Sequence, residues 1–301
     1  MKAITFPVLL LAFASFCTIS CQNKTNNKGN AQKNDYDLSV DIDTSSQTIK
    51  LGNTLFSLPS PYQLTMILKN ANVSFNEGLL NPISNNQNYS TTYKKCVNLG
   101  VYGADLAYEN VFEQSALVVS SFSVVKVLAT DLGLTATLTK DLIDRIEQNV
   151  DNKDSLLYIM SNTYRDIDVF LKESQRQKEG TFVLAGGWVE AMYMLTQLAS
   201  ETKNDMLNQR VAESRQPLEN LIKILSPYYD DNKEVASLID KLIDLTNDFE
   251  GIEQQYTYCE PEIDVEAKMT IVKSTTKVNV TESDLFSITN KIKSIRTFII
   301  E

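Results

Sequence analysis

Between Tyr62 and Phe249 the apolar residues recur every three or four positions, and that spacing leaves little choice of fold. Val235, Leu238, Ile239, Leu242, Leu245 and Phe249 give the cleanest case, because a period of 3.6 places all six on one helix face. Leu156, Met160, Tyr164, Ile167 and Leu171 repeat the pattern within residues 151–175. Residues 91–113, carrying Cys96, Leu99, Tyr102, Leu106 and Val111, read as another helix, as do residues 181–200. Helix starts are signposted. Ser60 caps a helix whose first residue is Pro61, Thr139 caps one with Leu142, Ile143 and Ile146 facing inward, and Thr281-Glu282-Ser283-Asp284 opens a last one. Pro217 breaks or kinks the pattern that runs from 203 to 225. Val111 to Ala129 is apolar nearly all round and reads as a buried central helix; its uncharged part, Gln114 to Val125, is too short to cross a membrane, which takes about 20 residues.

After Gly251 the texture changes. Met269-Thr270-Ile271-Val272 and Lys277-Val278-Asn279-Val280 flank Ser274-Thr275-Thr276 and read as two strands of a hairpin. Leu285, Ile288, Ile292, Ile295 and Ile299 then form the buried stripe of the C-terminal helix. The expected fold is all-α: a single helical domain of about ten helices with a small β hairpin near the C-terminus. No linker interrupts residues 48–250, so these form the helical domain, and 251–301, hairpin plus helix, dock on it.

Two stretches interrupt helical patterns with glycine: Leu99-Gly100-Val101-Tyr102-Gly103-Ala104-Asp105-Leu106-Ala107-Tyr108 and Leu184-Ala185-Gly186-Gly187-Trp188-Val189-Glu190-Ala191-Met192-Tyr193. Glycine in a helix costs about 1 kcal/mol against alanine, so four glycines in two such places need a reason. One reading is a close crossing of two helices, with Tyr102 and Trp188 packed around it. Asp105 and Glu190 would then be satisfied by tyrosine hydroxyls or helix N-termini. The other is a ligand pocket walled by Tyr102, Tyr108, Trp188 and Tyr193 with Asp105 and Glu190 at its base, suited to a sugar, a peptide or another small molecule. A pair of carboxylates is also the minimum equipment of a glycosidase-type hydrolase.

The N-terminus supplies an address. Met1-Lys2 precedes an apolar run from Ala3 to Phe16, and Thr18-Ile19-Ser20-Cys21 ends it. The run is short for a span, so residues 1–20 read as a cleaved signal peptide. Ser20-Cys21 resembles a bacterial lipobox, with Cys21 the acylated first residue of the mature chain; Thr18 stands where leucine is usual. Residues 21–47 are polar, led by Gln22-Asn23-Lys24-Thr25-Asn26-Asn27, and read as a flexible tether. They carry no acidic run directly after Cys21, which favours a periplasm-facing leaflet.

Charge and composition exclude several functions. The 301-residue chain has a net charge of −10, and removing the signal takes away only Lys2, leaving −11. Such a surface lacks the basic footprint of a nucleic-acid binder. There is no histidine, which excludes Ser-His-Asp and Cys-His catalysis and histidine-ligated zinc or haem. Asp151-Asn152-Lys153-Asp154 and Asp230-Asp231-Asn232 lack the glycine and alternation of a calcium loop, so neither a metal nor a cofactor is expected. With Cys21 acylated and Cys17 removed, Cys96 and Cys259 remain, either as a disulfide in an oxidising compartment or as two separate thiols.

Leu58-Pro59-Ser60-Pro61, Asn98-Leu99-Gly100-Val101-Tyr102-Gly103-Ala104-Asp105-Leu106 and Leu184-Ala185-Gly186-Gly187-Trp188-Val189-Glu190, together with the lipobox, resemble a family of uncharacterised Bacteroidota lipoproteins. The resemblance covers roughly residues 50 to 200. It implies an envelope location and a helical fold, and carries over no catalytic residue. The expected function is a lipid-anchored cell-envelope protein, held on the outer membrane facing the periplasm, that binds a protein or small-molecule partner without chemistry. A carboxylate-dependent periplasmic hydrolase and a purely structural envelope component are the alternatives.

Overall fold

A computed structural model describes residues 47–51, 54–58, 61–264, 269–271 and 274–301. The chain divides into residues 1–41 and residues 42–301, and everything described belongs to the second unit. Cys21, the signal and tether up to residue 46, the Ser60 cap and the side chain of Tyr164 lie outside the described residues.

The described residues form an all-α fold of ten α-helices with short antiparallel strand pairs. Strands β1 (Gln47–Leu51) and β2 (Thr54–Leu58) pair first, Leu51 opposite Thr54. The sequence reading starts the fold near Ile49 without this pair, although Gly52-Asn53 between two apolar runs is a hairpin signal. Helix α1 (Pro61–Asn70) begins at its proline, as expected where the missing N–H has no partner to lose. Two short 3₁₀ turns, Glu77–Leu79 and Ile83–Asn88, lead to α2 (Thr92–Val111). Then come α3 (Ser115–Asp131), α4 (Lys140–Gln148), α5 (Lys153–Glu173), α6 (Gln177–Thr202), α7 (Asp205–Ala212), α8 (Arg215–Leu225), α9 (Lys233–Glu250) and α10 (Glu282–Ile300).

The starts of these helices follow side-chain chemistry. Thr91, Thr139, Asn152, Asn204 and Asn232 each accept a backbone N–H from the first turn they precede. Thr281 and Asp284 satisfy each other's backbone in a reciprocal box at the start of α10. The break near Pro217 falls at Glu213-Ser214, between α7 and α8. Pro217 is the third residue of α8, where no intrahelical N–H bond is lost.

The core is built on α2 and α6, which pack along one another. Sixteen of the 20 residues of α2 and 17 of the 26 of α6 are buried, so these two, rather than 111–129, run through the middle. The expected central helix instead splits at Phe112-Glu113-Gln114, and α3 buries one face only. Val118, Val124, Val125 and Leu128 point in, whereas Val119 and Val127 are about half exposed. Helix α10 lies against α6 and α9 and also reaches α2, with Ile288, Ile292, Ile295 and Ile299 buried. Trp188, Tyr102, Tyr108 and Phe249 are the largest fully buried side chains, each contributing about 1.5–3 kcal/mol of burial.

The C-terminal strands exist where the β-branched runs placed them, but their partners differ. β3 (Glu253–Thr257) pairs with β6 (Thr275–Asn279), and β4 (Glu262–Asp264) with β5 (Met269–Ile271). Ser274-Thr275-Thr276 is therefore not the turn of a hairpin between the two runs. The two ladders nest as one antiparallel ribbon, running out through β3 and β4 and back through β5 and β6.

Candidate functional site

The glycines bring α2 and α6 into backbone contact. A methyl group added at Gly100 would lie 1.9 Å from the Val183 carbonyl oxygen and 2.7 Å from the Gly187 nitrogen. One added at Gly186 would lie 1.8 Å from the Val97 carbonyl oxygen. No side chain fits at either position, which is the close crossing that the helical glycines predict.

Along α2 and α6 from this crossing, Asp105 and Glu190 project into one buried cluster, 1% and 0% exposed. Tyrosine hydroxyls do not satisfy them. Glu190 is paired instead with Arg296, a residue of α10 that the sequence reading passes over. Its guanidinium forks onto Glu190, with Nε to Oε2 and Nη2 to Oε1 both 2.9 Å. Nη2 also donates to the Leu79 carbonyl at 3.1 Å, and the guanidinium stacks 4.4 Å over the Tyr193 ring. The backbone N–H of Asn81 donates to Asp105 Oδ2 at 3.2 Å. Asn81 then fixes its own loop, giving its amide to the Tyr89 hydroxyl and taking that of Asn85. The buried ion pair thus joins α6 and α10 to the covering loop, and Asp105 ties α2 to the same loop.

The protonation states follow from the surroundings. Burial raises the Asp105 pKa well above the usual carboxylate range, and the neighbouring Glu190 charge raises it further. Burial also raises Glu190, while the Arg296 charge and a hydrogen bond from Asp105 act against that rise. For Arg296, desolvation favours the neutral form, and the Glu190 carboxylate outweighs it and raises the pKa. The consistent assignment is a protonated Asp105, an ionised Glu190 and a charged Arg296. Asp105 Oδ1 has no hydrogen-bond partner, so nothing on that oxygen offsets the cost of burying the ionised form.

The other expected residues do not gather round this cluster as pocket walls. Tyr102 is fully buried and donates to the Pro82 carbonyl at 2.8 Å. Tyr108 stacks on Phe75, with ring centres 5.2 Å apart, and its hydroxyl accepts from the Asn76 N–H. Trp188 is 1% exposed and its indole N–H has no acceptor. Tyr193, at 8%, serves as the platform under Arg296. All six candidates are therefore sealed in the core. A surface recess of about 300 Å³ opens elsewhere, between the α2–α3 turn and the start of α5, and its lining includes Asn110, Gln114, Lys153 and Asp154.

Cys96 and Cys259 are both free thiols, so the disulfide reading is not realised. Cys96 is sealed on α2, where burial pushes its thiol up to about 12; Cys259 is half-buried on the ribbon. A third buried carboxylate, Glu109, escaped the sequence reading. It is 1% exposed, accepts from the Ser121 hydroxyl at 2.7 Å through Oε1, and leaves Oε2 without a partner. Burial raises its pKa to about 7. Among the described residues no group of three or more acidic or cysteine side chains is placed to hold a metal ion.

Comparison with protein-family models, curated proteins and solved structures found no match.

Proposed function

We propose that this chain is a lipid-anchored cell-envelope protein, acylated at Cys21 on the outer membrane and facing the periplasm, that works as a non-catalytic interaction module. The address rests on the signal-like N-terminus and the lipobox-like Ser20-Cys21, with the resemblance to Bacteroidota lipoproteins in support. The observation that carries the module reading is the distribution of exposed apolar surface. Five described large apolar side chains are 55% or more exposed. Tyr256, Tyr258, Ile263 and Met269 lie on the ribbon, and Phe286 follows it in the first turns of α10. Isolated apolar residues on a surface need no explanation, but four of these fall within the short strand segment from Tyr256 to Met269, which supports a contact surface there.

A carboxylate-dependent hydrolase is less well supported. Its acid and base would be Asp105 and Glu190, and Glu190 is committed to Arg296 beneath a closed loop, with no side open to a substrate. The test is a photo-crosslinking residue at Tyr258, irradiated in the native envelope. The module reading expects a discrete adduct with a second polypeptide. Absence of any adduct from Tyr258, and from Ile263 tested in the same way, refutes it.

A further inference from the structure

We propose that the ribbon is a strand-pairing arm, through which copies of this chain join edge to edge, arms side by side and pointing the same way. The proposal rests on the interaction-module reading and names its partner as a second copy.

The ribbon's geometry comes first. In β3 and β6, Glu253 faces Asn279 and Thr257 faces Thr275; in β4 and β5, Glu262 faces Ile271 and Asp264 faces Met269. Between the ladders the outgoing path has four residues, 258–261, against three, 272–274, on the return, an offset of one residue. Ser274 pins that offset. Its hydroxyl accepts from the Cys259 N–H at 3.0 Å and donates to the Cys259 carbonyl at 3.1 Å. Neither ladder has a third strand among the described residues, so the outer edges of the ribbon have no further ladder partner there.

Charge then selects which edges meet. From Glu253 to Asp264 the outgoing path carries Glu253, Glu260, Glu262 and Asp264 and no basic residue. The described residues of the return path carry Lys277 and no acidic residue. Two outgoing edges together would oppose acid with acid, and two return edges lysine with lysine, both unfavourable. The outgoing edge of one arm against the return edge of the next matches opposite charges. It also gives an antiparallel ladder when the two arms point in the same direction. Tyr256 and Tyr258, 65% and 68% exposed, gain cross-strand neighbours in that arrangement. The join is head-to-tail, so it repeats from copy to copy. Copies anchored by their N-terminal lipid in one leaflet already stand the same way up, and confinement there raises the effective concentration of one arm for another.

The test uses the full-length chain, purified in detergent and also left in native membranes, and two charge-reversed variants, Glu260→Lys and Lys277→Glu. Both residues are exposed, so both variants should melt as wild type does. Sedimentation and chemical cross-linking should show assemblies larger than a monomer for wild type. Each variant alone should associate about five-fold more weakly, a loss of about 1 kcal/mol. An equimolar mixture of the two should recover association, since the reversed edge of each matches the other. Wild type that stays monomeric in detergent and in membranes overturns the proposal, as do reversed variants that associate as strongly as wild type. If Tyr258 forms adducts only with a different protein, self-pairing falls and the module reading stands. If neither Tyr258 nor Ile263 forms any, both fall.

Discussion

Replacing Gly186 by alanine tests the helix crossing on which the fold is built. The added methyl would sit 1.8 Å from the Val97 carbonyl oxygen, 2.7 Å from the carbonyl carbon and 3.1 Å from Cα. All three are backbone atoms, so no rotamer change relieves the clash. Ordinary contact requires α2 and α6 to separate locally by roughly 1.5 Å, and a gap of even 1 Å forfeits up to half of each dispersion contact across it. Overpacking of a core costs about 1–3 kcal/mol, and a clash with an unyielding backbone belongs at or above the top of that range. Against it stands the gain of about 1 kcal/mol from alanine over glycine in a helix. The net expectation is a loss of about 2–4 kcal/mol, or a melting temperature lower by about 5–15 °C for a domain of this size. Gly251→Ala is the control. Gly251 has φ −79° and no atom within 4 Å of the new methyl, so alanine there should leave stability unchanged or raise it by up to about 1 kcal/mol. Thermal denaturation followed by circular dichroism measures both. If Gly186→Ala melts within a degree or two of wild type, the two helices are not in backbone contact and the reasoning fails.

Two further outcomes follow from groups the core seals. Burial raises the Glu109 pKa from 4.5 to about 7, so the folded state holds a proton that the unfolded chain releases. Its contribution is fully present below about pH 4.5 and is lost as pH rises to about 7, a change of about 3 kcal/mol. Denaturant titrations of Glu109→Gln should therefore show a flatter stability curve across that window than wild type and higher stability at pH 8; parallel curves would contradict this. For the thiols, maleimide should label Cys259 in the native protein and reach Cys96 only after denaturation, because Cys96 is fully buried and its thiol titrates near 12. A Cys96 adduct on the folded chain, located by peptide mapping, would count against the packing of α2.

What the sequence showed, it showed through burial. Helices such as Val235–Phe249 repeat their apolar residues because one face is inside, and glycines at 100 and 186 stood out because a helix has no local use for them. Residues 111–129 misled because apolar composition reports burial only on average; Val119 and Val127 are apolar and half exposed. Strand pairing misled because it is not local. Met269–Ile271 and Thr275–Asn279 lie close in sequence, yet each pairs backward across the ribbon, and only the one-residue offset at Cys259 and Ser274 sets that register. Asp105 and Glu190 were legible as a pair, but the arginine that pairs with Glu190 was not. Arg296 lies 106 residues beyond Glu190, four after Ile292 on the flank of the α10 stripe, where an arginine usually reads as solvent-facing. The usable signal was a lone arginine inside the span of a stripe from Ile288 to Ile299, in a chain with two acidic residues in helical apolar runs and nothing yet to neutralise them.

The central claim is that this cluster holds the fold together, with Asp105 protonated and Glu190 ionised against Arg296. The most direct measurement compares the stabilities of Asp105→Asn and Glu190→Gln by thermal and urea denaturation at pH 7. The account predicts an asymmetry. Asparagine reproduces the shape and donor of a protonated aspartic acid, so Asp105→Asn should cost about 1 kcal/mol or less. Glutamine leaves the Arg296 charge buried without its counter-charge, so Glu190→Gln should cost about 3–5 kcal/mol. A Glu190→Gln protein as stable as wild type, or more stable, would mean that the carboxylate is kept for something other than the fold, and would contradict the account.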